Sequence, residues 1–188
     1  MQEQIYLRPL SLRDINEKYL FWVNDKSITE YLEIGKKQLT RDDLIKYVKE
    51  SPNNGRFNYA IVTKNSKKHI GNGSIFSIQK EKGKFEIGYL IGEKKFWGGH
   101  YSSMAIFNLL KIGFIEMDLK KCIGFVNETH IKARMTNKFS GYREIKKYSR
   151  FWKKENKTIN EISLEITKKN WLDNTNVLIS KFPEFYQL

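Results

Sequence analysis

The sequence predicts one mixed α/β domain: a mixed central sheet of about six to seven strands with helices on both faces. Three observations predict it. A strand and two helices precede three strand-like segments separated by tight turns. That meander passes into helix, strand, helix and two closing strands, a β-α-β-α-β order. Finally, 188 residues that are 40% hydrophobic and 14% aromatic supply one full core rather than two. No repeat and no Pro/Gly/Ser-rich linker divides the chain, so residues 1–188 read as a single domain.

The elements follow in order. Ile5 to Leu10 alternates and meets proline at Pro9, as an edge strand does. Ser11 with Asp14 reads as a capping box opening a helix through about Trp22. Thr40 and Asp43 repeat the signal ahead of Leu44, Tyr47 and Val48, which share a helical face. Strands are expected at Tyr59–Thr63, Ile70–Ile78 and Phe85–Ile91, with turns at Asn65-Ser66 and Lys82-Gly83. A long helical pattern runs from Ser102 to about Met117, and Cys122–Val126 is apolar enough to be a buried strand. A helix over about Ile131–Phe139 stops at the C-cap glycine Gly141, and strands near Tyr142–Trp152 and Glu161–Thr167 close the chain.

Charge and cysteine content narrow the function classes. The net charge is +13, but the lysines are scattered from Lys18 to Lys181 and arginine, the usual base reader, is sparse. That pattern is a solvated surface, permissive for a polyphosphate ligand, and a nucleic-acid partner is not expected. A lone cysteine, Cys122, forms no internal disulfide and fits a reducing compartment. Met1 to Pro9 carries no apolar signal segment and no long apolar run occurs elsewhere, so a cytoplasmic protein without a membrane partner is expected. The three histidines lack the close ligand spacing of a metal site.

The chemistry is concentrated in Glu86-Ile87-Gly88-Tyr89-Leu90-Ile91-Gly92, then Glu93 to Phe96, then Trp97-Gly98-Gly99-His100-Tyr101-Ser102-Ser103-Met104-Ala105. A strand ends, a glycine-containing turn follows, and a helix begins. Such a turn presents free N–H groups at the positive end of a helix, a setting suited to pyrophosphate.

This stretch resembles the central motif of the GNAT acetyltransferases, especially their RimJ/RimL-like branch. Further segments fall in that family's order: Leu7-Arg8-Pro9-Leu10, Phe21-Trp22-Val23-Asn24-Asp25 with Tyr31-Leu32-Glu33, His69-Ile70-Gly71-Asn72, Leu119-Lys120-Lys121 and Gly141-Tyr142. The resemblance spans about residues 5–172, leaving 173–188 as a C-terminal tail. It implies acetyl transfer to a primary amine with acetyl-CoA as acyl-donor substrate and no metal. It implies that Leu90, Ile91 and Gly92 meet the pantetheine arm and that Trp97, Gly98, Gly99, His100, Tyr101, Ser102 and Ser103 surround the pyrophosphate. The family's asparagine before the last core helix maps near Thr129 or His130, which adds His130. The family's turn glycines become Gly98, His100 and Ser102, so only the first is retained.

Transfer to an amine requires a base for the ammonium proton, a polarised thioester carbonyl and an outlet for the thiolate. Backbone N–H groups near Leu90 or Ile91 are candidates for the oxyanion. Glu86 has two readings: the base, since it breaks an apolar run leading into the motif, or half of a cross-strand ion pair with a lysine. Glu33 is the second base candidate, in a loop that borders the acceptor in the resembling enzymes. Trp22 borders that site or belongs to the core. Tyr142 is either the acid or a packing aromatic after Gly141, and the tyrosine some GNAT enzymes use as acid falls on Asn137. Cys122 on a buried strand reads as packing, which favours direct transfer. Three acceptor readings stand: an amino sugar or nucleotide amino sugar of surface polysaccharide synthesis, a peptide or ribosomal-protein N-terminus, or a degenerate module that binds without catalysis. Phe182, Phe185 and Tyr186 in the tail could cover a neighbour, so either a monomer or a homodimer is expected.

Overall fold

The computed structural model describes residues 3–34 and 37–188, so the part of the leader-segment reading that concerned Met1 and Gln2 lies outside it. Seven strands form one sheet: β1 (Ile5–Pro9), β2 (Phe57–Thr63), β3 (His69–Gln79), β4 (Lys84–Ile91), β5 (Lys121–Asn127), β6 (Arg143–Trp152) and β7 (Lys157–Thr167). Their order is β1-β2-β3-β4-β5-β7-β6. Every pairing is antiparallel except β4 with β5, so the sheet is mixed, as the element order predicts. The helices are α1 (Glu17–Asn24), α2 (Lys26–Thr29), α3 (Arg41–Glu50), α4 (Tyr101–Lys111), α5 (Ile131–Phe139) and α6 (Lys168–Lys181).

Two apolar clusters cover the two faces. Phe85, Met104, Leu110, Phe114, Ile166 and Trp171 belong to the larger one, built on α4 and α6. Ile15, Tyr19, Trp22, Val23 and Leu44 form the smaller one under α1 and α3. Neighbouring residues on a strand point to opposite faces. Ile91 accordingly enters the first cluster and Leu90 packs on the second.

Four local expectations are corrected. The Ser11–Asp14 capping box closes only a 3-10 turn at Leu12–Asp14, and α1 starts afresh on Asn16, whose side chain accepts from Tyr19 N–H. Asp14 accepts from Arg8 through both its oxygens, at 2.8 and 2.5 Å, as well as from Ser11 N–H, which ties the box to β1. The Ser102–Met117 helix is α-helical only to Lys111 and continues as a π-turn over Ile112–Glu116. There Gly113 lies so close to Phe85 that a Cβ would sit 2.3 Å from the ring. Strand β7 starts at Lys157, four residues before Glu161. Lastly, the residues after Thr167 form α6, capped by Thr167, and Tyr186 is wholly buried in the main cluster of its own chain.

One feature of the sheet matters most for function. Strands β4 and β5 pair only over Lys84–Glu86 against Lys121–Ile123. Beyond that point β4 follows β3 to Ile91 while β5 follows β7 to Asn127. The sheet therefore splays open between residues 87–91 and 124–127, and ligands of open sheets sit at such gaps.

Candidate active site

The chain passes from the open end of β4 through a 3-10 turn at Lys94–Phe96 into Trp97 and the N-terminus of α4. Trp97 folds back, its indole N–H donating to Ile91 O at 2.7 Å. Gly98 and Gly99 then adopt φ of 85° and 55°, a region that suits glycine. His100 is at φ −95° and ψ 0°. Its backbone is ordinary for any residue, so losing the family's glycine there costs no strain. Ser102 is likewise inside regular helix. The departures from the glycine pattern fall where glycine is not required.

After Trp97 N–H, which donates to Lys94 O, the next N–H to find an acceptor in the chain is that of Met104, on His100 O at 2.7 Å. Among the described residues, the N–H groups of Gly98, Gly99, His100, Tyr101, Ser102 and Ser103 have none. Six free donors at the positive end of an 11-residue helix make a site for a polyanion. A Cβ at Gly98 would meet nothing within 4 Å, so the turn is open on that side. These features fit the diphosphate of a coenzyme A donor.

Strand alternation sorts the gap. Gly92 N–H bonds Ile70 O on the β3 side at 2.8 Å. In an antiparallel ladder every second residue points the same way, so Leu90 N–H also faces β3, whereas those of Tyr89 and Ile91 face the splay. Of the two expected oxyanion donors, only Ile91 has the right direction. Gly92 has a packing role: a Cβ there would lie 2.0 Å from Trp22. Trp22 is core, 2% exposed, between Tyr19 and His69. Burial pushes the Tyr89 phenol up to about 12, against the Ser102 side chain beside it.

Glu86 sits at the apex of the splay, opposite Ile123 in the last β4–β5 pair. It is half-buried, and desolvation raises its carboxyl above the usual value despite Ser77 and Arg56 nearby. Ser77 reaches it from a bulge in β3 where its own φ is 51°. Among the described residues Glu86 has no ion-pair partner, so the expected lysine pair is absent there. Arg56 lies over the Phe76 ring at 4.0 Å and donates to Ser74 Oγ at 2.9 Å.

The second carboxylate candidate is placed differently. Glu33 is exposed and accepts from Arg150 Nη2 at 2.5 Å. Arg150 also holds buried Glu161, at 2.6 and 2.8 Å. The phenol of Tyr148 donates to Glu161 at 3.4 Å. Lys154 donates to the carbonyls of Thr29 and Leu32, and Tyr31 stacks on His130 with centroids 4.0 Å apart. These ties lay the segment after α2 against β6, β7 and the start of α5. None of Arg56, Tyr148, Arg150 and Lys154 carried a signal in the sequence: the last three lie in a lysine- and arginine-rich hairpin indistinguishable from surface, and Arg56 follows the Asn53-Asn54-Gly55 turn ahead of β2.

Tyr142 donates to Cys122 Sγ at 3.1 Å inside the main core. Burial holds its phenol well above the usual value. This is the packing alternative. Cys122 is buried too, its thiol pushed up to about 12, and is no nucleophile at neutral pH. Among the described residues no group of His, Cys, Asp and Glu could hold a metal, and no helix is long and apolar enough to cross a membrane.

Comparison with known proteins gives a consistent picture. The model of the "Acetyltransferase (GNAT) domain" family matches residues 4–143. The chain is 28% identical over 122 residues to an "Uncharacterized N-acetyltransferase p20" of Bacillus licheniformis, covering 63% of this chain and 67% of that one. Among solved structures, an acetyltransferase (GNAT family) from Bacillus anthracis superposes with TM-score 0.76 at 19% identity, over 90% of this chain and 98% of that one. The spermidine N-acetyltransferase from Vibrio cholerae, in complex with CoA and spermine, does so with TM-score 0.80, also at 19% identity and with the same coverage.

Proposed function

The chain belongs to the GNAT acetyltransferase family and is an acetyl-CoA-dependent N-acetyltransferase, and from that premise we propose that its acceptor is the primary amine of an amino sugar, carried on a nucleotide or otherwise anionic. The observation that carries this reading is the chain's net charge of +13, set against a polar face of the splay whose own charges balance. Glu86 there is a half-buried carboxylate at the apex without an ion-pair partner among the described residues, while Glu33 and Glu161 share the single positive charge of Arg150. Arg56, Arg150 and Lys154 together balance Glu86, Glu33 and Glu161, and the chain as a whole carries a net charge of +13. That net charge attracts an anionic acceptor and repels a polyamine. The order of motifs supports the RimJ/RimL-like branch, and with it a peptide N-terminus as the second acceptor.

Each residue then has a defined task. The N–H groups from Gly98 to Ser103 bind the donor's diphosphate. Ile91 N–H, with Tyr89 N–H beside it, donates to the acyl oxygen as charge develops there. Glu86, its carboxyl raised toward neutrality, accepts the proton of the acceptor ammonium directly or through one water. The donor, when bound, supplies the acetyl group and leaves as a thiolate, a far weaker base than an alkoxide, so a dedicated general acid is dispensable. Transfer is direct, since the cysteine is buried and protonated. The test is thiol release from acetyl-CoA against amino sugars, nucleotide amino sugars, short peptides and spermidine. Turnover on the sugar substrates is expected; preference for peptides would move the chain to the second acceptor, and preference for spermidine would contradict the charge argument.

A further inference from the structure

We infer that the C-terminal segment Phe182–Tyr186 is a working part of the donor site, with Tyr186 as a positioning residue that holds the Gly98–Ser103 turn in its binding conformation. The inference rests on the reading of that turn as the diphosphate site. Its starting point is His100, which stands where the family has glycine. Its imidazole is enclosed by aromatic rings, with centroids 4.6 Å from Phe182, 4.9 Å from Phe185 and 5.7 Å from Phe139. Two of these three rings come from the tail.

Three hydrogen bonds complete the enclosure. His100 Nδ1 lies 3.1 Å from the Tyr186 hydroxyl, that hydroxyl lies 2.7 Å from Ser103 Oγ, and Ser103 Oγ donates to His100 O at 3.0 Å. Each link needs one proton, and the three groups have one apiece to give. A carbonyl has no proton, so the Ser103 hydrogen is committed to His100 O. The Tyr186 hydrogen must then point to Ser103, and His100 must carry its proton on Nδ1. The assignment is unique, and it closes a ring that leaves His100 through its side chain and returns through its own carbonyl. That carbonyl also takes the first helical bond of α4, from Met104 N–H at 2.7 Å.

The ring answers a mechanical problem. Gly98 and Gly99, both at positive φ, give the turn its shape but no resistance to other shapes. A diphosphate site of backbone N–H groups is effective only when those groups are fixed before the ligand arrives. Tyr186 is fully buried, so the ring is anchored to the core. The tail thereby supplies the rigidity that the glycines withhold.

The test uses the full chain with Tyr186→Phe, which keeps the buried ring and removes one oxygen, and Ser103→Ala, which removes the central link. Amide hydrogen exchange at Met104, whose N–H bonds His100 O, is expected to speed up about tenfold in both, the scale of one buried hydrogen bond. The Kd for CoA should weaken by a similar factor, while pantetheine, which lacks the diphosphate, binds as before. Ring ¹⁵N shifts should report the Nδ1–H tautomer of His100 in the native chain and its loss in Tyr186→Phe. A purely structural tyrosine would lower the melting temperature and leave both the Met104 exchange rate and the CoA-to-pantetheine ratio unchanged; that result would overturn the inference. If the native chain bound no CoA, the donor reading would fall, and the exchange rates would still decide whether Tyr186 holds the turn.

Discussion

At the scale of single residues, Glu86 is the most informative. The sequence offered a base or an ion pair, and no described lysine or arginine pairs with it. What could not be read was its setting, since that depends on where β4 parts from β5 and on a bulge that brings Ser77 across. Glu86→Gln should lower turnover by about 10²–10⁴-fold near pH 7 with the Kd for CoA little changed. The deficit should shrink as pH rises and more acceptor amine is already neutral. Stability separates the alternatives. A carboxyl whose folded value is raised favours the fold below its unfolded value, near 4.5, and loses that contribution as pH rises through the raised one. Glu86→Gln is therefore expected to melt no lower than the native chain at pH 7, whereas removing half of an ion pair would lower it. Differential scanning calorimetry at pH 4 and pH 7 measures both.

Among the elements, strands and caps were legible where local chemistry decides them. The seven strands and the Thr40–Asp43 capping box are examples, since Thr40 Oγ1 accepts from Asp43 N and Asp43 accepts from Thr40 N. Helix α6 was missed because its buried positions, Trp171, Thr175 and Leu178, include a threonine amid Asn and Lys, which blurs the apolar stripe. Asp14 shows how tertiary contacts override a local signal. Burial alone would raise its carboxyl, but the Arg8 guanidinium and Ser11 N–H hold it at about 2. A lowered carboxyl stabilises above its unfolded value and loses that contribution as pH falls from about 4 to 2. Asp14→Asn should cost about 1.5–3 kcal/mol at pH 7, and urea melts at pH 7 and pH 2 should show that deficit disappearing. In the turn, Gly98→Val tests function against strain. The side chain enters open space but at φ 85°, so about 1–2 kcal/mol of stability should go. The KM for acetyl-CoA should rise by more than that loss accounts for, because the branch stands where the donor approaches. Lost stability with unaltered KM would reduce Gly98 to a turn residue.

For the whole molecule, the mixed sheet was legible because a meander followed by β-α-β-α-β has few ways to pack. The splay, the π-turn after α4 and the docking of the tail on His100 were not, because each arises from pairings between distant segments: β4 with β5, Gly113 with Phe85, Tyr186 with Ser103. The proposed donor site draws on two of them, spanning the strand-turn-helix stretch from Glu86 to Ala105 and the last residues of the chain. The central claim is that this assembled site binds acetyl-CoA, and a thermal melt of the native chain with increasing acetyl-CoA tests it most directly. At about 100 times Kd the ligand should add roughly 2.7 kcal/mol of stability, with the melting temperature still climbing as concentration rises. A melting curve unmoved at millimolar acetyl-CoA would contradict the account.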